Sequence, residues 1–191
     1  AKWSPFFLAV AALALSQWWD SGVYQSKDER NRRELARYQN LARVLPGYDH
    51  ARLTLGTRQY AGGDVASAAK SFDHALKLSG GRNAKAHYNR GLVDAALRQL
   101  PDAVKHYQLS LELEPLSDQA HHVHFALGAA YQSLDKPSQA ETHYLRALAI
   151  QPQFAVAELG LGGLYRASGQ TELARQHLKL AVKLLSEGGN G

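Results

Sequence analysis

From about residue 49 onward the chain repeats itself at roughly thirty-four residues, and no other feature limits its fold as strongly. Four registers align on Gly56, Gly91, Gly128 and Gly162, which stand 35, 37 and 34 residues apart. Twelve positions after each glycine comes an alanine: Ala68, Ala103, Ala140 and Ala174. Four further on is a large side chain, Phe72, Tyr107, Tyr144 or Leu178, and three beyond that a small one, Ala75, Ser110, Ala147 or Ala181. Pro115 and Pro152 close two of the units, with Gly80 and Ser186 in the equivalent places of the first and last. Small residues at two crossing points let paired helices approach, and the large side chain between them fills the space that remains. A helix pair of this kind keeps one apolar face open until a neighbour covers it, so the units must stack into an array.

The segments Ala86-His87-Tyr88-Asn89-Arg90-Gly91, Leu127-Gly128-Ala129-Ala130-Tyr131 and Leu161-Gly162-Gly163-Leu164-Tyr165 resemble the tetratricopeptide repeat family. The resemblance covers about residues 49–188, in units of about 49–83, 84–120, 121–154 and 155–188. It implies an all-α fold, a right-handed α-solenoid of about four helix pairs. Two departures stand out. The large aromatic usual four positions before the glycine is replaced by Arg52, His87, His124 and Glu158, so that site is expected to be filled more weakly or partly solvated. Three extra residues around 116–120 lengthen the turn between the second and third units, where stacking is expected to be less regular.

In this family the first helix of each pair lines a concave groove. The resemblance therefore implies a lining of Leu53, Thr57 and Tyr60, then Lys85, Tyr88, Asn89 and Leu92, then His122, Phe125, Ala129 and Gln132, and finally Leu159, Gly163 and Arg166. A subclass that clamps chaperone C-termini is excluded, because only Asn89 matches its basic and amide positions; Leu53, Thr57, His122 and Ala126 occupy the others. Tyr60, Tyr88 and Phe125 would hold an amphipathic helix or extended peptide, with Lys85 and Arg166 selecting an acidic group on it. The competing reading has the rings packing neighbouring helices or an in-chain segment such as the 27–45 helix.

No charged residue occurs from Trp3 to Trp19, and the centre of that run is continuously apolar. At about 1.5 Å per residue it spans roughly 25 Å as a helix, short but workable against a hydrocarbon core of about 30 Å. The expected anchor buries Phe6, Phe7, Leu8, Leu13 and Leu15, with Trp3, Trp18 and Trp19 at the headgroup levels. A cleavable signal peptide is the alternative, with Lys2 as its basic start and Ala14-Leu15-Ser16 as the cleavage site. Lys27, Arg30, Arg32, Arg33 and Arg37 follow the run, and positive-inside counting favours a cytoplasmic array, while a basic start before an apolar run is also how exported anchors begin. Next, Ser26 and Glu29 form a capping box that starts a charged helix near Lys27. Leu35, Tyr38, Ala42 and Leu45 stripe that helix, and Pro46-Gly47 end it. The division is thus 1–20 anchor, 21–48 juxtamembrane helix and linker, 49–188 array and 189–191 flexible tail.

Chemistry is thinly represented. With no cysteine, thiolate metal sites and cysteine nucleophiles are excluded. Lysine and arginine number 22 against 17 acidic residues, an excess of +5 spread along the chain rather than gathered on a nucleic-acid-binding face. His121, His122 and His124 cluster near a helix start but lack a fourth ligand, so a polar helix end is the better reading. His106, His143 and His177 recur at one repeat position as a ladder a whole unit apart, too wide to share a metal. Gly160 to Gly163 lies inside a helical repeat and is no nucleotide loop. The expectation is a non-catalytic interaction module without cofactor, metal, nucleic acid or small-molecule substrate. Its partners would be other protein subunits in the same membrane, a bacterial inner membrane, and the bilayer itself through the N-terminal helix.

Overall fold

The computed structural model describes residues 27–44, 47–115, 117 and 119–188. The expected anchor, with Trp3 to Trp19, lies outside the described residues, as do Leu45, Pro46 and 189–191. Among the described residues no helix is long and apolar enough to cross a membrane.

The described chain is entirely helical: α1 (Lys27–Val44), α2 (Asp49–Ala61), α3 (Val65–Leu78), α4 (Ala84–Ala96), α5 (Leu100–Leu113), α6 (Ala120–Ser133), α7 (Pro137–Ile150), α8 (Ala155–Ala167) and α9 (Thr171–Gly188). Helices α2 to α9 pair in sequence, α2 with α3 through α8 with α9, and each pair stacks on the next. The helix starts have local causes. Asp64 Oδ1 accepts from Ser67 N at 3.0 Å and Asn83 Oδ1 from Ala86 N at 2.9 Å, while Pro101 and Pro137 sit in first turns where no amide proton is needed. The turn inside every pair passes through a left-handed residue seven positions after the crossing glycine: Gly63, Arg98, Asp135 and Gly169, with φ of 84°, 63°, 57° and 77°.

Close approach at the crossing points is explicit. A Cβ at Gly56, Gly91, Gly128 or Gly162 would stand 2.6 Å from Phe72, Tyr107, Tyr144 or Leu178 respectively. Each large side chain thus lies flat on its own unit's glycine. Tyr144 is held from two sides, since a Cβ at Gly160 of the next unit would stand 2.7 Å from its Cζ.

Two expectations change, the second in part. The lengthened turn before α6 does not interrupt stacking: Val104 and Tyr107 of α5 share one core with Val123, Ala126 and Leu127 of α6. The helix contacts across the turn keep their register. The site four positions before the glycine is filled in two units, where His87 and Glu158 are buried at 7% and 4% exposure, and is partly solvated in the other two, at Arg52 and His124. His106, His143 and His177, a whole unit apart, also have partners that their spacing did not reveal. Each pairs inside its own unit with that earlier residue: His106 Nδ1 lies 2.9 Å from His87 Nδ1, His143 Nδ1 3.1 Å from His124 Nδ1, and His177 Nδ1 2.6 Å from Glu158 Oε2. Polar partners thus meet where an aromatic would otherwise fill the crossing.

Helix α1 stacks on α2 as α3 does on α4. Leu35, Tyr38 and Ala42 pack with Ala51 and Leu55, Arg52 Nη2 donates to Ala42 O at 3.0 Å, and Arg58 pairs with Glu34 at 3.0 Å. It acts as the second helix of a preceding half-unit, with Arg32, Arg33 and Arg37 exposed.

Candidate protein-interaction groove

The first helices α2, α4 and α6 lie side by side, and Tyr88 of α4 stands where three cavities meet. One, of about 360 Å³, runs between α2 and α4 and is lined by Leu53, Thr57, Arg58, Lys85, Tyr88 and Asn89. A second, of about 350 Å³, reaches towards α6 past Lys85, Tyr88, Ser110, Glu114, Gln119 and Val123. The third, of about 270 Å³, is walled by Tyr88, Leu92, Ala95, Arg98, Phe125 and Ala129. α1 packs on α2 and leaves this junction uncovered, so the in-chain 27–45 helix is not its occupant.

The rings are anchored on one side and open on the other. Tyr88 tilts against Tyr107 at 6.0 Å between centroids, and Phe125 against Tyr144 at 5.8 Å and Phe154 at 5.7 Å. Tyr60, half-buried, donates from its hydroxyl to Leu92 O at 3.4 Å. Burial pushes the Tyr88 phenol above its ordinary pKa, with Tyr60 adding to the effect, and burial pushes Tyr144 up to about 12. Both therefore stay neutral and serve as surfaces with a polar tip. Asn89 Nδ2 approaches Thr57 Oγ1 at 3.5 Å, and Thr57 itself donates to Leu53 O.

Not every residue assigned to the groove joins this junction. Leu53 is 7% exposed and belongs mainly to the core with Phe72. Gln132 is engaged as acceptor for the Tyr144 hydroxyl at 2.8 Å. His122 lies exposed, tilted against His121 at 4.0 Å between centroids and edge-on to Phe154. Leu159 is exposed on α8, and Arg166 lines a different cavity at the α9 end of the array. The cations near Tyr88 are instead Lys85, Arg58 and Arg98, with Glu114 as an acidic neighbour. Arg98 was missed because it occupies a turn, and the family's lining positions are all on helices. The left-handed residue seven places after each glycine was the signal that could have found it.

His121, His122 and His124 do not converge, since His124 turns to His143 while the other two meet Phe154 edge-on. Among the described residues no group of three or more histidines and carboxylates is arranged to hold a metal.

A sequence profile described as Tetratricopeptide repeat matches residues 53–118 and 125–188. The chain belongs to the tetratricopeptide repeat family. It is 30% identical over 121 residues to the tetratricopeptide repeat-containing protein trd-1 of Caenorhabditis elegans, covering 63% of this chain and 15% of that protein. Among solved structures, PilW, described as a widely conserved type IV pilus biogenesis factor, superposes with a TM-score of 0.77 at 20% identity, over 84% of this chain and 72% of PilW. MamA superposes at 0.72 and 19% identity, over 88% of this chain and all of MamA. At these identities the two structures speak for the fold. Proteins of this family bind other proteins, in general as non-catalytic interaction modules, and this chain is of that scaffold type.

Proposed function

We propose that this chain is a membrane-tethered scaffold, a structural subunit or assembly factor of a membrane protein complex, whose groove around Tyr88 holds an apolar partner segment bearing an acidic residue. The observation that carries the reading is the meeting of three cavities at Tyr88, walled by Leu92 and Phe125 and edged by Lys85 and Arg98. Aromatic walls supply the contact area, and the cations reject partners without negative charge. The likeness to PilW supports an assembly role. The uncharged run from Trp3 to Trp19 supports the tether, and the basic residues after it support a cytoplasmic array. A tether would hold the groove near partners in the same bilayer, so modest affinity would give lasting association.

The test is a pull-down in mild detergent comparing wild type with Tyr88→Ala plus Phe125→Ala and, separately, with Lys85→Glu, whose exposed site leaves folding intact. Co-purifying subunits should be lost with the first and reduced with the second, while circular dichroism keeps the helical signal. Equal recovery in both would remove the groove as contact surface. N-terminal sequencing of the mature chain tests the tether: a start at Gln17, with the protein in the soluble fraction, would make it an exported soluble adaptor.

A further inference from the structure

Every junction inside the array covers the second helix of one unit with the first helix of the next, and among the described residues nothing covers α9 in this way. The repeats show what is left open. Leu76, Leu111 and Leu148 are partly buried and packed against the cores. The equivalent residue of the last unit, Val182, is 64% exposed. With Ala174 and Leu178 it lines a cavity of about 640 Å³ whose rim is basic: Arg166, Arg175 and Lys179. Arg175 pairs with Glu172 on the surface at 2.6 Å, and Lys179 has no ion-pair partner among the described residues.

The internal junctions also show what meets these places. Where the last unit has Lys179 the first has Asp73, which accepts from Arg90 Nε of the next unit at 2.7 Å. Where it has Arg175 the third has Glu141, which accepts from the Tyr165 hydroxyl at 2.5 Å. Arg90 comes one residue before its crossing glycine and Tyr165 three after, so the two contacts are four residues apart on the incoming helix, one turn along the same face. Lys179 and Arg175 reverse the charge found at Asp73 and Glu141. The incoming helix that suits them carries carboxylates in both places.

We propose that the end face of α9 is a docking surface for an amphipathic helix of a partner protein, carrying two carboxylates four residues apart with a small residue after the first, seated as the first helix of a fifth unit. A second copy stacked end to end fits less well, because the cavity on the outer face of α1 is itself edged by Arg37 and would bring like charges together. The face is separate from the groove around Tyr88.

The probe is a fluorescein-labelled peptide of the Ala84–Ala96 sequence with Arg90→Glu, which together with Asp94 gives the required pair of carboxylates. A side-chain lactam between Lys85 and Asn89→Glu holds it helical, since a free peptide of this length would not be. Fluorescence anisotropy with the full chain in non-ionic detergent should show saturable binding. Arg175→Glu plus Lys179→Glu should weaken it about tenfold or more, and a peptide with lysines in both places should then bind that variant instead. Val182→Asp should also weaken it, whereas Tyr88→Ala plus Phe125→Ala should leave it unchanged, which separates this face from the groove. The proposal falls if no saturable binding occurs, or if a peptide retaining Arg90 with Asp94→Asn binds equally. It also falls if the groove variant alone abolishes binding, or if sedimentation shows a dimer that the α9 charge reversal dissociates.

Discussion

Between the first and second units lies a partly buried ionic network that the other junctions lack among the described residues, and the chain's own repeats provide the variant to test it. Arg90 donates from Nε to Asp73 at 2.7 Å and also pairs with Asp94, whose side chain is 2% exposed. Asp94 Oδ2 has no hydrogen-bond partner and stands 3.8 Å from His106 Nε2. Burial pushes the Asp94 carboxyl above its ordinary pKa, opposed by Arg90 and His106. The third and fourth units place Leu127 with Tyr131 and Leu161 with Tyr165 in these two positions. Arg90→Leu alone strands a carboxylate in the interior and should cost about 3–5 kcal/mol. Arg90→Leu plus Asp94→Tyr removes both charges, and the introduced hydroxyl can reach Asp73 as Tyr131 reaches Gln108 at 3.2 Å. That double variant should return to within about 1 kcal/mol of wild type or exceed it, since replacing a buried ion pair by packed side chains is often neutral or stabilising. Urea unfolding of the 27–191 fragment at neutral pH, followed by circular dichroism, measures all arms of the cycle. If Arg90→Leu costs under about 1 kcal/mol, or the double variant is no more stable than that single one, the network is not what holds the junction.

Two further outcomes are expected. His143 is pushed down from 6.5 to about 4 by burial, with His124 and Arg146 adding to the effect, and His124 is lowered by burial and by Arg146. The unfolded chain therefore takes up protons first, so the stability these rings contribute is complete above the unfolded value and is lost as pH falls from 6.5 towards 4. Allowing for water at the partly exposed rings, the loss by about pH 5 should be roughly 1 kcal/mol, and it should shrink in His143→Gln; parallel pH slopes for wild type and variant would refute the assignment. Arg98 holds φ at 63°, where Gly63 and Gly169 stand in the first and last units, so Arg98→Gly should raise stability by about 0.5–1 kcal/mol in thermal or urea melts.

The repeat register was legible because its markers are contact pairs: each crossing glycine lies against the large side chain of its own unit, so neither can change alone without opening or overfilling the crossing. The histidines show where spacing runs out. His87, His124 and Glu158 stand out as departures at one position, and His106, His143 and His177 as a series at another, but their pairing appears only once antiparallel helices bring positions nineteen apart together. His87 Nε2 faces the Gly81 carbonyl at 3.0 Å and must carry its proton there, so in the neutral pair its Nδ1 accepts from His106 Nδ1. No period in the chain carries that information. Likewise the stripe on α1 was visible, whereas its seat on α2 was not, because α1 lies before the first aligned repeat. The groove adds a physical reason why lining positions are a weaker guide than core positions. Tyr107 and Tyr144 are pressed by glycines on one side and carry Tyr88 and Phe125 on the other, so the groove wall is the far side of the crossing contacts. Substitutions in the wall therefore lower stability as well as recognition, even where the helical fold is kept. The exposed rim residue Lys85 is where charge can be changed with the packing left in place, and there recognition can be measured by itself.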